Sequence, residues 1–182
     1  MESSVSFVLP RNVEILRLTG TADINGTGGF APEAIVGNTG NNVLDGGGGY
    51  DVITAKAGDD TLIGGLGADS LVGDEGNDVF LFNNVNESRP GQANRDFING
   101  FVHGEDRIDL STIDANVFTT PNDAFVFVNN AAFSGAAGEV RWFTFGGGNY
   151  NIVEADVNGD RVADMQIFVN LTNVMFESDF IF

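Results

Sequence analysis

The most constraining feature of this sequence is a nine-residue repeat that runs without insertion from Gly37 to Leu81. Its five blocks read GNTGNNVLD, GGGGYDVIT, AKAGDDTLI, GGLGADSLV and GDEGNDVFL. Every block has glycine at position four and a large apolar residue at position eight. Position six is aspartate in all blocks except the first, which has Asn42. A fixed period of this kind indicates a repeat architecture in which each block is one structural unit.

A nine-residue period suits a short strand followed by a tight turn. The apolar residue of position eight then points inward, and glycine lets the turn adopt conformations closed to residues with a Cβ atom. If two blocks form one coil, residues 18 apart are neighbours at the strand spacing of ~4.8 Å. Position six therefore forms two columns, one of Asn42, Asp60 and Asp78 and the other of Asp51 and Asp69.

The composition indicates what these columns bind. The chain carries 26 acidic against 8 basic residues, a formal charge of -18, so nucleic acid and anionic membranes are not expected partners. Sixteen phenylalanines argue against a disordered acidic tail. Stacked carboxylates repel one another without a cation. Oxygen ligands in a repeat without His, in a chain without Cys, favour calcium over a transition metal.

The pattern G-G-x-G-x-D-x-U-x resembles the nonapeptide of the repeats-in-toxin (RTX) proteins, whose repeats form a calcium-binding parallel β-roll. Blocks 46–54 and 64–72 match every defined position. The resemblance implies sites in which main-chain oxygens of two turns, 18 residues apart, join the two side chains of position six. The first implied site comprises Gly47, Gly49, Asp51, Gly64, Leu66 and Asp69; the second comprises Lys56, Gly58, Asp60, Gly73, Glu75 and Asp78; the third comprises Asn38, Gly40, Asn42, Ala55, Ala57 and Asp60. Because Asn42 is neutral, the third site is expected to be the weakest.

Residues 1–36 are expected to form entry strands and degenerate rungs. SVSFVLP and NVEILRL are short, apolar and rich in β-branched residues, which favours strands. GGFAPEAIV, at 28–36, keeps the register with Glu33 at position six, and it is either a degenerate rung or an ordinary loop. The sequence predicts no N-terminal signal peptide, because a basic segment followed by a long apolar core is missing, and no stable membrane insertion.

Residues 82–182 resemble the C-terminal domain of serralysins, which implies an antiparallel β-sandwich that caps the roll. The resemblance is carried by Ser88-Arg89-Pro90-Gly91, Arg95-Asp96, Ile98, Phe101, Gly104-Glu105-Asp106 and Ile108-Asp109-Leu110-Ser111. Gly100 departs from the aspartate usual in that family. Asp96, Asp106 and Asp109 are candidate calcium ligands, with surface turns as the alternative. Strands are expected at 123–128, 138–145, 150–157, 162–169 and the terminus, with a turn at Gly146–Asn149.

One segment of this half resembles part of an EF-hand loop. Asp156, Asn158, Asp160 and Asp164 take positions 1, 3, 5 and 9, but Arg161 replaces the expected glycine and position 12 has no glutamate. Calcium binding and a polar hairpin turn are both open.

The last four residues, Asp179 to Phe182, resemble the uncleaved C-terminal signal of type I secretion substrates. The sequence has no H-E-x-x-H and no G-x-S-x-G motif, and its single histidine, His103, is expected at the surface. We therefore expect a non-enzymatic, extracellular module that folds on binding Ca²⁺ and meets a type I exporter transiently, as the C-terminal part of a larger secreted protein. The alternative is a carbohydrate-binding or enzyme-associated module of an extracellular hydrolase, protease or epimerase.

Overall fold

The computed structural model describes residues 1–148, 150–171 and 174–182. Within these ranges the chain forms β-strands and a single 3-10 turn at Glu177–Asp179, with no α-helix. The strands are β1 (Glu2–Ser3), β2 (Phe7–Val8), β3 (Ile15–Leu18), β4 (Gly26–Thr27), β5 (Ala34–Val36), β6 (Val43–Asp45), β7 (Gly48–Gly49), β8 (Val52–Ala57), β9 (Thr61–Ile63), β10 (Leu66–Gly67), β11 (Ser70–Glu75), β12 (Val79–Leu81), β13 (Phe97–Asn99), β14 (Arg107–Asp109), β15 (Val126–Phe127), β16 (Glu139–Phe145), β17 (Tyr150–Asp156), β18 (Met165–Val169) and β19 (Phe180–Ile181).

The repeat coils as its period predicts. Within the repeat, β7 and β10 pair with each other as a separate two-stranded sheet, and the other strands alternate between two facing sheets. Neighbours within these sheets pair in parallel with an offset of 18 residues, such as Ile35 with Ile53 and Leu44 with Leu62. The first sheet has the order β1-β3-β5-β8-β11-β13-β18-β17-β16-β15, and the second has the order β19-β14-β12-β9-β6-β4-β2. The parallel β-roll is therefore confirmed.

The apolar side chains of position eight form two stacks that face each other between the sheets. The first runs through Ile35, Ile53, Leu71 and Ile98, and the second through Leu44, Leu62, Phe80 and Ile108; all eight are 0% exposed. Burying each such side chain contributes about 1.5–3 kcal/mol. The thin roll is thus held together by one residue per rung, which leaves its turns to be stabilised by other contacts.

The two sheets continue beyond the repeat on both sides. After Leu81, β13 and β14 pair in parallel with β11 and β12, and β18 and β19 then extend the same ladders. The antiparallel strands expected in the C-terminal half are β16, β17 and β18, and they enlarge the first sheet. Of the strand expected at 123–128, only Val126–Phe127 pairs, and it does so in parallel with β16. Asn149 of the predicted 146–149 turn lies outside the described residues.

Candidate metal sites

The side chains at position six form the two columns, which lie in the turns of the roll. Each carboxylate accepts, at Oδ1, the backbone N–H of the residue one coil earlier: Asp51 donates to Asp69 at 2.7 Å, Asp60 to Asp78 at 3.0 Å, and Asn42 to Asp60 at 2.6 Å. We call Asp51, Asp60, Asp69 and Asp78 the column aspartates; they are at most 1% exposed. One carboxylate oxygen of each is thus engaged by the fold itself.

Both columns run further than the ninefold register. Asp96 Oδ1 accepts the N–H of Asp69 at 3.0 Å, and Asp106 Oδ1 accepts the N–H of Asp78 at 3.0 Å. Sequence reasoning named both residues but did not place them in the columns, because spacings of 27 and 28 residues break the period. A signal was nevertheless present, since Asp96-Phe-Ile98 and Asp106-Arg-Ile108 repeat the aspartate-x-apolar spacing of positions six to eight.

The second carboxylate oxygen, Oδ2, differs from Oδ1 in its hydrogen bonding. The Oδ2 atoms of the column aspartates and of Asp96 are buried and receive no hydrogen bond from any residue that the structure describes. A buried acceptor without a donor costs about 1–3 kcal/mol, and more when it is charged. Five such atoms in two short columns therefore need positive partners, which is what a series of bound cations would supply.

The Oδ2 atoms of Asp51, Asp69 and Asp78 lie beside the glycine that begins their block, whereas the block of Asp60 begins with Ala55. A Cβ atom on Gly46 would lie 2.5 Å from Asp51 Oδ2 and 2.7 Å from the Gly64 carbonyl oxygen. The carboxylate and the main-chain oxygen that the first predicted site combines thus converge at one place. A Cβ on Gly73 would likewise collide with Asp78 Oδ2, in the second predicted site.

A similar space lies beside Gly64, between Asp69 of the repeat and Asp96 of the segment that follows it. A Cβ on Gly64 would lie 2.6 Å from Asp69 Oδ2 and 3.0 Å from Asp96 Oδ2. Two buried carboxylate oxygens therefore face each other beyond the last repeat of that column. The Glu87 carboxylate is a further charge near this place, and it raises the pKa of Asp69 in addition to the effect of burial.

The turns hold their main-chain oxygens in a repeated conformation. Positions two and four of the last four blocks have positive φ, and the two non-glycine residues at position two conform: Lys56 has φ 87° and Asp74 φ 69°, close to the 86° of Gly47. Departures from glycine in AKAGDDTLI thus leave the turn unchanged. Carbonyl oxygens of Gly47 and Gly49 face the Cβ-free sides of Gly65 and Gly67 one coil later.

The remaining residues of the first two predicted sites lie in the same turns, with some of their polar groups engaged. Leu66 is 55% exposed, and its N–H donates to the Gly47 carbonyl at 2.9 Å. The Glu75 carbonyl accepts the N–H of Gly58 at 3.0 Å. Lys56 Nζ donates to the Gly37 carbonyl at 2.5 Å.

The third predicted site has a different chemistry. Asn42 Oδ1 and the Ala55 carbonyl converge beside Gly37, as their counterparts do beside Gly46. However, Asn42 Nδ2 donates to the Ile24 carbonyl at 2.7 Å and to Asn38 Oδ1 at 2.9 Å, and Asn38 Oδ1 also accepts the N–H of Gly40. The Asn42 amide therefore has hydrogen-bond partners of its own, whereas Oδ2 of Asp60, the other side chain of this site, receives no hydrogen bond from a described residue.

Burial and mutual repulsion disfavour ionisation of the column aspartates. Burial is the main cause that raises the pKa of Asp51 and Asp78 to about 7 and of Asp60 and Asp69 to about 6. Charge on Asp69 and Glu33 adds to the pKa shift at Asp51. At neutral pH, ionised column aspartates thus place unfavourable negative charge in the turns of both columns.

The other predicted ligands are engaged in local hydrogen bonds. Asp156 is 0% exposed and accepts N–H groups of Asn158, Gly159 and Arg161, while Asp164 Oδ2 accepts the N–H of Val157. These contacts fit a polar hairpin turn, and calcium binding by this loop stays a prediction. Asp160 Oδ1 accepts the N–H of Val162, and Asp109 Oδ1 accepts both the N–H and the hydroxyl of Ser111.

The donor set of the columns fits calcium. Over residues 1–148, 150–171 and 174–182, no group of three or more His, Cys, Asp or Glu side chains is arranged to hold a metal ion. Each predicted column site takes only two side chains and draws its remaining oxygens from the main chain. Ca²⁺ meets this requirement, because it is a hard cation that binds carboxylate and carbonyl oxygens in a variable coordination geometry.

The fold and the stacked carboxylates define the chain as a parallel β-roll of the RTX type. Residues 19–182 match the family model described as peptidase M10 serralysin C terminal, and the chain belongs to that family. A search of curated protein sequences gave no match.

Two solved structures share the fold. The AlgE6R2 subunit of the Azotobacter vinelandii mannuronan C5-epimerase superposes with a TM-score of 0.63 at 20% identity, covering 88% of this chain and 92% of that one. The AlgE6R3 subunit of the same enzyme superposes with a TM-score of 0.54 at 25% identity, covering 90% and 81%. In the described part of the chain, no helix is long and apolar enough to cross a membrane.

Proposed function

We propose that this chain is a calcium-binding module whose roll, residues 37–81, folds when Ca²⁺ neutralises its two columns. The observation that carries the proposal is the set of five buried Oδ2 atoms without hydrogen-bond donors among the described residues. An unpaired buried carboxylate destabilises the fold, whereas a carboxylate that binds a cation stabilises it. Binding of Ca²⁺ and folding of the roll are then one equilibrium.

The first two predicted sites form the centre of this module. Their four carboxylates are the column aspartates, and both turns of each site have the repeated conformation with positive φ at positions two and four. The third site, with its self-satisfied Asn42, binds more weakly. Extracellular calcium modules typically have a Kd of ~10⁻⁴–10⁻³ M, which keeps them empty at cytosolic calcium levels.

We further propose that the module is non-enzymatic and is exported by a type I system as part of a larger secreted protein. The family supports this proposal. The terminal segment, Asp179 to Phe182, supports it as well, because it is buried or half-buried in the folded chain and fully accessible only before folding. Asp179 is 0% exposed, and its Oδ1 lies 2.5 Å from Nδ1 of His103. Phe180 is 5% exposed and pairs with Ile108 of β14. The tetrapeptide is thus available to an exporter before folding, and residues 82–182 then cap the roll.

A calcium titration tests the proposal. Trp142 is 6% exposed and is the only tryptophan, so its fluorescence reports packing of the cap, while far-ultraviolet circular dichroism reports the strands. We expect the chain to be largely unfolded in EGTA and to fold cooperatively in millimolar Ca²⁺, with Mg²⁺ as the control ion. A cooperatively folded chain in EGTA that gains no stability from calcium would contradict the proposal.

A second candidate function is association with a polysaccharide. On the outer face of the first sheet Phe97 and Phe168 stack at 4.9 Å, Tyr150 lies 4.8 Å from Phe168, and the Arg95 guanidinium lies 4.8 Å above the Phe168 ring. These rings are half-buried, and aromatic faces beside an arginine suit sugar rings that carry carboxylates. The structural neighbours belong to an epimerase of mannuronan. Affinity electrophoresis in gels containing mannuronan, with Phe168→Ala as the test variant, decides this: equal mobility with and without the polymer excludes it.

A further inference from the structure

The rung before the repeat carries a carboxylate in line with the first column. Ile35 of this rung is 0% exposed and pairs with Ile53, so residues 28–36 keep the register of the roll. The backbone N–H of Glu33 donates to Asp51 Oδ1 at 2.8 Å, which is the contact that links every successive pair in the columns. Glu33 is therefore the position-six residue of a structured rung, and it is only 9% exposed.

The Glu33 carboxylate lies where a column aspartate would place its own. A Cβ on Gly28 would lie 3.1 Å from Glu33 Oε2 and would collide with the Gly46 carbonyl oxygen. This is the arrangement of Asp51 Oδ2 and the Gly64 carbonyl beside Gly46. The extra methylene of glutamate is accommodated by the turn, whose Gly29 N–H donates to Oε2 at 3.3 Å.

The charges of Glu33 and Asp51 lie at the same position of successive rungs. Asp51 is 1% exposed, and its Oδ2 atom receives no hydrogen bond from a described residue. The repulsion between two such carboxylates is poorly screened by solvent at this burial, and a cation between them would remove it.

Main-chain oxygens complete the set on the same side. The Gly29 carbonyl faces the Cβ-free side of Gly47, and the Ala31 carbonyl oxygen lies 2.7 Å from a Cβ on Gly49. The Gly40 carbonyl has the same 2.7 Å relation to Gly58 in the other column. The turn therefore presents carbonyls at positions two and four although its sequence lacks the glycine of position four.

We propose that Glu33 and Asp51 hold a further divalent cation of the calcium class, between the turn at 28–33 and the turn at 46–51, with main-chain oxygens of Gly29, Ala31 and Gly46. This inference rests on the proposed function of the columns and extends it by one coil toward the N-terminus. Asp51 then bridges two ions, one shared with Glu33 and one shared with Asp69.

Counting bound calcium by native mass spectrometry, with affinities from isothermal titration calorimetry, tests the site. Glu33→Gln keeps the shape and removes the charge, and we expect it to bind one ion fewer than the wild type. Glu14→Gln is the matched control, because Glu14 precedes Glu33 in the same column but is exposed, and its ion count should be unchanged. An unchanged count and unchanged affinities in Glu33→Gln would overturn the site.

A second variant keeps the test decisive if Glu33→Gln fails to fold at saturating calcium. Glu33→Asp restores the residue of the nonapeptide, so the ion count should stay at the wild-type value while the affinity of one ion changes. If no affinity changes, Glu33 is not a ligand. A wild type that binds no calcium at all would instead refute the proposed function, so the two failures are distinguishable.

Discussion

Replacement of Asp51 by asparagine should have opposite effects on stability in the absence and the presence of calcium. Burial raises the pKa of this carboxyl from 3.8 to about 7. At pH 8 the ionised group thus costs the calcium-free fold about 2–4 kcal/mol, at 1.36 kcal/mol per pKa unit with a discount for residual hydration of the turn. The chain already contains an amide at an equivalent position, since Asn42 Nδ2 donates to a main-chain carbonyl at 2.7 Å.

We therefore expect Asp51→Asn to stabilise the calcium-free chain by about 2–4 kcal/mol at pH 8. In calcium the variant should instead be less stable than the wild type, because Asp51 is a ligand of two sites in this account. Two sites, each held at 100 times its Kd, contribute about 5.4 kcal/mol, which exceeds the gain from removing the charge. The free energies come from urea titrations in EGTA and in calcium, with a stabilising osmolyte added equally to both proteins if the calcium-free wild type is below half folded.

The control for this experiment is Asp59→Asn. Asp59 is the neighbour of a column aspartate but points outward, and its pKa is lowered by the side-chain and backbone N–H groups of Asn77. Its replacement should not stabilise the calcium-free chain. If Asp51→Asn destabilises the protein in EGTA, or is as stable as the wild type in saturating calcium, then the buried carboxylate is not a cation site and the reasoning fails.

Three other measurements address the charge of the columns, the core and the pairing of the sites. Because the pKa values of the column aspartates are raised in the fold, the calcium-free folded state binds more protons than the unfolded chain. The stability of the calcium-free fold should therefore fall as pH rises from about 4 to about 7, whereas calcium affinity should rise. Urea midpoints in EGTA at pH 5 and pH 8 check the sign of the change in stability. Leu62→Ala should cost about 2–5 kcal/mol, because the side chain is 0% exposed between Leu44 and Phe80, while Val43→Ala, at 40% exposure, should cost under about 1 kcal/mol by thermal unfolding in calcium. Asp69→Ala should abolish the site shared with Asp51 and spare the one between Asp60 and Asp78; equal loss at both in calorimetry would refute the 18-residue pairing.

The repeat itself could be predicted from the sequence because each rung is a local unit. Position eight alternates between two facing stacks, so the period alone fixes the inward side chain, the coil of two blocks and the pairing of Ile53 with Ile35 and Leu71. The conformation at Lys56 was not predictable in this way, because the AKA segment lacks the glycines of the pattern; its φ of 87° nevertheless matches the 86° of Gly47.

The continuation beyond Leu81 could not be predicted in the same way. The segments that join β12, β13 and β14 have unequal lengths, so spacing no longer identifies the partner strand. The ladder is instead continued by hydrogen bonds across long separations, such as Phe168 N–H to the Asp96 carbonyl at 2.9 Å. The contact of His103 with Asp179, 76 residues apart, is likewise a product of tertiary packing, and the sequence offered no signal for it.

At Glu33 the structure adds a candidate ligand that the sequence alone did not identify. Its block keeps the apolar residue of position eight but lacks the glycine of position four, so the sequence alone left a rung and a loop equally open. The parallel pairing of β5 with β8 decides in favour of the rung. Whether a degenerate block can bind an ion depends on where its carboxylate points, and that direction is set by the three-dimensional packing of the turn.

An anomalous-scattering map of crystals grown in calcium tests the central claim most directly. The account predicts peaks in line along the first column, with one between Asp51 and Asp69, and in line along the second, with one between Asp60 and Asp78. Successive ions in a column should be separated by one strand spacing, ~4.8 Å. A fully ordered roll whose column aspartates have no anomalous peak between them would contradict it.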